Sequence, residues 1–192
     1  MSEQAPIQTA SVPFRFTVDQ FLGLCNEGLF DDYAKSELIE GEIVVVDAQH
    51  SRHARVKTRL AVRLANALAQ LGSRFEPQVE VSVRLSETDL PEPDIVLTRY
   101  KGADVVPLET VALLVEVSDT TLETDLGRKA DLYAAAGVPE YWVVDVNECR
   151  VLMHANPRAE GSGYDGQLDV PFGELLHSAT IEGLVVETGG LE

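Results

Sequence analysis

Residues 112–146 read ALLVEVSDTTLETDLGRKADLYAAAGVPEYWVVDV. The stretch opens on an apolar run, Ala112 to Val117, uniform enough for a strand buried on both faces. Thr124 to Ala136 follows with Leu126, Ala130, Tyr133 and Ala136 on one side at helical spacing, and Gly137 and Pro139 stop it. Tyr141 to Val146 then returns as a second buried strand. A helix carried between two such strands implies a central sheet.

Moving outward from this stretch, the same periodicities extend the pattern. Upstream, Asp94 to Thr98 and Glu76 to Leu85 read as strands, the latter from the alternation of Val79, Val81, Val83 and Leu85. Before them, Arg52 to Leu71 is the clearest helix: Val56, Leu60, Leu64, Ala67, Leu68 and Leu71 share a face and Gly72 follows as a stop. Ser36 to Asp47 contains a Glu40-Gly41 turn feeding a β-branched strand, Ile43 to Val46. Thr17 to Leu24 reads as a short helix, with Thr17 and Gln20 spaced as a capping box. Downstream, Arg150 to His154 and Leu184 to Glu187 are expected as edge strands, with Gly161, Gly163 and Gly166 marking a loop or hairpin between them. The expectation is an α/β fold with a mixed central sheet flanked by helices and additional strands at the N- and C-terminal ends. Residues 17–192 are expected to form a single domain behind a flexible lead-in, 1–16.

The composition, 45% hydrophobic and 24% charged, is that of a globular chain, and no run approaches the roughly 20 apolar residues of a membrane span. The first 16 residues have neither a basic start nor an apolar run, so no secretory leader is expected and a cytoplasmic location is. Cys25 and Cys149 stand far apart with no CxxC spacing, and His50, His53, His154 and His177 are not spaced as a zinc set. There is no GxSxG elbow, no GxxxxGK[ST] loop and no HExxH helix. No organic cofactor is expected.

Net charge is −17, which opposes contact with nucleic acid, whose affinity comes largely from cations on phosphates. The charge is unevenly spread. Residues 51–75 contain no Asp or Glu but hold Arg52, Arg55, Lys57, Arg59, Arg63 and Arg74, six of the fifteen basic residues. Arg52, Arg55, Arg59 and Arg63 fall at helical spacing as a stripe, which is either a solvated face or a row that meets phosphates.

Two carboxylates interrupt otherwise apolar strands: Asp94, behind Pro93, and Glu116, within LLVEVS. A buried carboxylate needs a partner, either a local Arg or Lys or, if both converge at one sheet edge, a hard cation such as Mg²⁺ or Mn²⁺. Lys129 lies four residues from both Asp125 and Tyr133. It either pairs with Asp125 on the surface or faces the sheet, where an ammonium could orient a water or stabilise phosphate charge.

The succession TVDQF, ELIEGEIVVV, SRHARV, PEPDIVL, LLVEVSDTT and DLGRKADLYAAAGVPEYWVVDV resembles the Uma family of restriction endonucleases, within the PD-(D/E)XK nuclease superfamily, from about Thr17 to Val186. Its most specific stretch is Lys129 to Asp145. The resemblance implies a restriction-endonuclease-like core and metal-dependent hydrolysis of phosphodiester bonds in DNA. It makes Pro93-Asp94 the PD element and Glu116 the first acid of (D/E)XK, the two holding Mg²⁺ or Mn²⁺. Ser118 occupies the place of the expected lysine, and Lys129 matches a lysine moved to the following helix. The superfamily's further acid on the first helix is missing; Glu42 is its best substitute, with His53 a second candidate. Arg52, His53, Arg55, Arg59 and Arg63 would then contact the nucleic acid.

Two readings from other classes stand beside this one. The charge and the missing helix acid also suit a catalytically silent nuclease-fold module that binds nucleic acid or a protein. Unpaired edge strands after Asp145 also suit an oligomerising protein, a homodimer in the simplest case.

Overall fold

The computed structural model describes residues 12–46, 50–159 and 163–192. Most of the expected lead-in, together with Asp47 and Gly161, lies outside the described residues. In chain order the elements are α1 (Val18–Asn26), β1 (Lys35–Ile39), β2 (Glu42–Val46), α2 (Ser51–Gln70), β3 (Glu76–Val79), β4 (Val83–Arg84), β5 (Ile95–Thr98), β6 (Val106–Pro107) and β7 (Val111–Ser118). There follow α3 (Leu122–Thr124), a π-helical segment (Asp125–Lys129) and α4 (Ala130–Ala136), then β8 (Glu140–Asp145), β9 (Arg150–Pro157), β10 (Tyr164–Pro171), β11 (Leu175–His177) and β12 (Val185–Glu187).

Six strands form a mixed central sheet in the order β10-β9-β8-β7-β5-β3, with β7 and β8 parallel and the other pairs antiparallel. Alternation along β7 serves two cores. Leu113, Val115 and Val117 pack with Val56, Leu60, Leu64 and Leu68 of α2, while Leu114 packs with Ala130, Tyr133 and Ala134 of α4. Covering both faces is what makes the strand sequence continuously apolar. Gly137 ends α4 in the left-handed conformation, φ +81°, that a residue without Cβ adopts at no steric cost. A third, smaller core joins Val18 and Phe21 of α1 to Leu38 of β1 and to Leu90. The Thr17–Gln20 capping box at the start of α1 is formed. Among the described residues no helix is long and apolar enough to cross a membrane.

The C-terminal segment closes the α2 core with Leu176, Leu184, Val186 and Leu191. It is tied to the sheet by Glu140, a fully buried carboxylate. Glu140 accepts from Trp142 Nε1 at 2.7 Å, from the hydroxyls of Ser178 (2.7 Å) and Thr180 (2.6 Å), and from the Ala179 and Thr180 amides. So many donors satisfy a charge that would otherwise be costly to bury.

Several expectations are corrected. Glu76 to Leu85 is not one strand. The chain turns at Glu80, φ +52°, and β4 leaves the main sheet to pair in parallel with β6. Residues 150–154 are not at an edge: β9 lies between β8 and β10. The edge strand is β10, whose sequence hides it because only Tyr164 and Val170 are buried. Residues 35–39 form a strand in their own right, making a hairpin with β2 across the Glu40-Gly41 turn.

Candidate active site

In the antiparallel pair β5–β7, Ile95 faces Val115, so extending the register by one residue places Asp94 opposite Glu116. Each is only 3% exposed. Asp94 Oδ2 accepts from the Val117 amide at 2.8 Å and lies 3.0 Å from His53 Nε2, while Lys57 Nζ is 3.4 Å from Oδ1. His53 and Lys57 are four residues apart in the first turns of α2, so both reach the same carboxylate. Burial alone would raise the Asp94 pKa. The His53 hydrogen bond, the Lys35 charge and the Val117 amide outweigh it and hold the carboxyl down at about 2.

Glu116 points to the other side of the sheet from Val115 and Val117, toward α4. Its Oε1 accepts from Lys129 Nζ at 2.8 Å and from Tyr133 Oη at 2.9 Å. Burial pushes its pKa up to about 7, although Lys129 and Lys35 pull it down. Lys129 also donates to Glu37 Oε1 at 3.0 Å. Burial works against the Lys129 ammonium, but Glu116 and Glu37 outweigh it and keep Lys129 protonated. Glu37 is buried on β1, accepts from the Glu92 amide at 2.8 Å and has Lys35 Nζ at 3.6 Å. Burial would raise its carboxyl too, yet Lys129 and Lys35 lower it.

Lys129 closes the π-helical segment and leads into α4. Asp125, Lys129 and Tyr133, spaced by four, all lie on the buried side of this stretch. The surface pair of Lys129 with Asp125 is not made. Asp125 instead accepts from the hydroxyls of Ser118 (2.7 Å) and Thr121 (2.6 Å).

These groups line a cleft of about 390 Å³ between the β1–β2 hairpin, the sheet edge and the helical stretch 122–136. Among the described residues no group of three or more His, Cys, Asp or Glu side chains is gathered as a metal set. The pair Asp94 and Glu116 nevertheless suits a hard divalent cation. Both hydrogen bonds to Glu116 fall on Oε1, leaving Oε2 without one among the described residues. Mg²⁺ typically takes one or two carboxylates and completes its shell with water and substrate phosphate.

The remaining sequence-derived candidates are placed differently. His53 is not a surface group. It is buried against Asp94, and its Nδ1 has no hydrogen-bond partner among the described residues. Glu42 is outside the acidic cluster, because in the hairpin register it faces Ile39 at the tip. There it is half-exposed and paired with Arg15 (2.7 Å) and Arg128 (2.8 Å). The acid that joins Glu116 on Lys129 is Glu37, which was missed because Lys35 and Glu37 leave β1 without an apolar alternation to mark it. Nor is the arginine stripe a free row. Arg52 donates to the Val146 carbonyl and to Asn147 Oδ1, Arg59 to the carbonyls of Gly190, Leu191 and Glu192, and Arg63 to those of Glu187 and Gly189. Arg55 is exposed.

The model of the Uma2 family, described as "Putative restriction endonuclease", matches residues 18–188. In fold the chain is similar to the crystal structure of a "putative nuclease belonging to DUF820" from Anabaena variabilis ATCC 29413. The TM-score is 0.64 at 16% identity, over 85% of this chain and 89% of that one. No curated protein matches the chain.

Proposed function

The chain belongs to the Uma2 family of restriction-endonuclease-like proteins, and on that premise we propose that it is a divalent-metal-dependent endonuclease hydrolysing phosphodiester bonds in DNA. The observation that carries the reading is a buried lysine bonded at 2.8 Å to a carboxylate that stands across from a second carboxylate at the edge of the sheet. Asp94 and Glu116 would hold Mg²⁺ or Mn²⁺, and the cation would supply charge stabilisation at the scissile phosphate and a more acidic water. Lys129, kept cationic and anchored from behind by Glu37, holds its ammonium where a water attacking beside Glu116 would be oriented. His53, Lys57 and the Val117 amide fix the rotamer of Asp94 and keep it ionised. Glu37 supports the site from the position where the resemblance had suggested Glu42.

Calorimetric titration with Mn²⁺ tests the donor pair. We expect one site that is lost in Asp94→Asn and weakened at least tenfold in Glu116→Gln. Unchanged binding in both variants would remove Asp94 and Glu116 from the metal site.

One observation favours the silent-module reading: Lys35, Lys57 and Lys129 already face Glu37, Asp94 and Glu116, so the cluster approaches neutrality without a cation. Absence of any Mn²⁺ binding by the wild-type chain is the result that reading expects.

A further inference from the structure

The floor of the cleft is charged, and its roof mixes charged with apolar side chains. The register pairs Lys35 with Val46, Glu37 with Val44 and Ile39 with Glu42, so these six residues share one face of the hairpin. Side chains alternate across a strand, and the opposite face sends Leu38 and Ile43 into the α1 core. Ile39, Val44 and Val46 therefore give the cleft an apolar patch beside Glu37, in the same cleft that Asp94 and Glu116 line.

This roof is fastened on several sides. Lys129 ties Glu37 to the helical stretch, and Arg128 binds Glu40, Glu42 and the Ile39 carbonyl, latching the hairpin tip to the same stretch. Behind it, Leu38 and Leu90 exchange backbone hydrogen bonds of 3.2 and 2.8 Å, and the Glu92 amide donates to Glu37. A phosphate must therefore enter a small fixed cleft to reach carboxylates that are 3% exposed. At about 390 Å³ the cleft is near the lower end of the range of about 300–1,000 Å³ that encloses one small organic ligand.

Resting on the nuclease reading above, we propose that the site takes an unpaired DNA strand, with one base against the Ile39–Val44–Val46 wall and its phosphate at the Asp94–Glu116 floor. A duplex presents its phosphates on a broad cylinder and hides its base faces in the stack, so it can neither enter such a cleft nor use its apolar wall. An unpaired strand can do both, which is how single-strand sites combine backbone charge with base contact.

The test is fluorescence anisotropy with the full chain in Ca²⁺, a hard cation suited to the Asp94–Glu116 floor, comparing a labelled dT 12-mer with a 12-base-pair blunt duplex. The strand should bind at least tenfold more tightly. Val44→Ser, at a half-buried position on the cleft wall, should weaken strand binding by about fourfold, what roughly one buried CH₂ contributes. Val45→Ser, exposed on the other face, should leave it unchanged, and thermal melts confirm that both variants fold. Equal or tighter duplex binding, no effect of Val44→Ser, or no binding of either DNA would overturn the proposal. Cleavage in Mg²⁺ is scored separately. Strand binding without any cleavage would remove the nuclease reading alone, whereas duplex cut as fast as strand would remove this inference and leave the nuclease reading in place.

Discussion

Glu116 is the residue whose ionisation the fold resists most usefully. In the folded chain it takes up its proton at about 7, against an ordinary value of 4.5, because burial penalises the carboxylate more than Lys129 and Lys35 favour it. Between these pH values the folded state holds a proton that the unfolded state has released. The contribution of Glu116 to stability is thus fully present below about 4.5 and is lost as pH rises to about 7. We expect urea melts of the metal-free protein to show a fall in stability over that window that is absent in Glu116→Gln; parallel pH profiles for the two proteins would contradict the assignment. Asp94 behaves oppositely, its lowered pKa giving stability that is present above its ordinary value of 3.8 and is lost as pH falls through about 2. At this scale the two principal acids could be read from the sequence, since a carboxylate inside an apolar strand demands a partner. Glu37 could not be separated from Glu42 by composition. Only the strand register, which sends Glu37 inward and Glu42 to the hairpin tip, distinguishes them.

The element that makes the site is the helical stretch 122–136 with its π turn. Gly127 lies inside that turn with ordinary φ, and a Cβ there would meet nothing within 4 Å. Gly127→Ala should accordingly raise stability by roughly 0.4–1 kcal/mol and leave activity unchanged, as chemical denaturation and cleavage assays would show. The helix itself was legible from Leu126, Ala130 and Tyr133, but the π turn was not, because nothing in DLGRK marks a sixteen-atom backbone ring rather than a thirteen-atom one. The hairpin strand β1 was obscured for another reason: its inward face carries Lys35 and Glu37, which break the alternation that identifies a strand.

Across the whole molecule, the sheet and its two covering helices were legible because burial on both faces leaves apolar runs at 112–117 and 141–146, broken only by Glu116 and Asp145. The β9–β10 hairpin was not, since its outer strand is solvated along most of its length. The same scale governs how the chain meets DNA. Net charge is −17, Lys57 is buried against Asp94, and none of Arg52, Arg55, Arg59 and Arg63 lines the cleft. Few phosphates can then be neutralised, so the plot of log affinity against log salt for single strands should have a slope shallower than about −3, given about −0.7 per phosphate. A slope near −7 would reveal a long basic track elsewhere. The central claim is that Asp94, Glu116 and Lys129 form a metal-dependent hydrolytic site, and its most direct measurement is the cleavage rate of circular single-stranded and supercoiled DNA in Mg²⁺ or Mn²⁺ by wild type, Asp94→Asn and Lys129→Met. The account predicts cutting by wild type that stops in EDTA and falls by about a hundredfold or more in both variants; cutting that persists undiminished in Asp94→Asn or Lys129→Met, or no cutting by folded wild type, would contradict it.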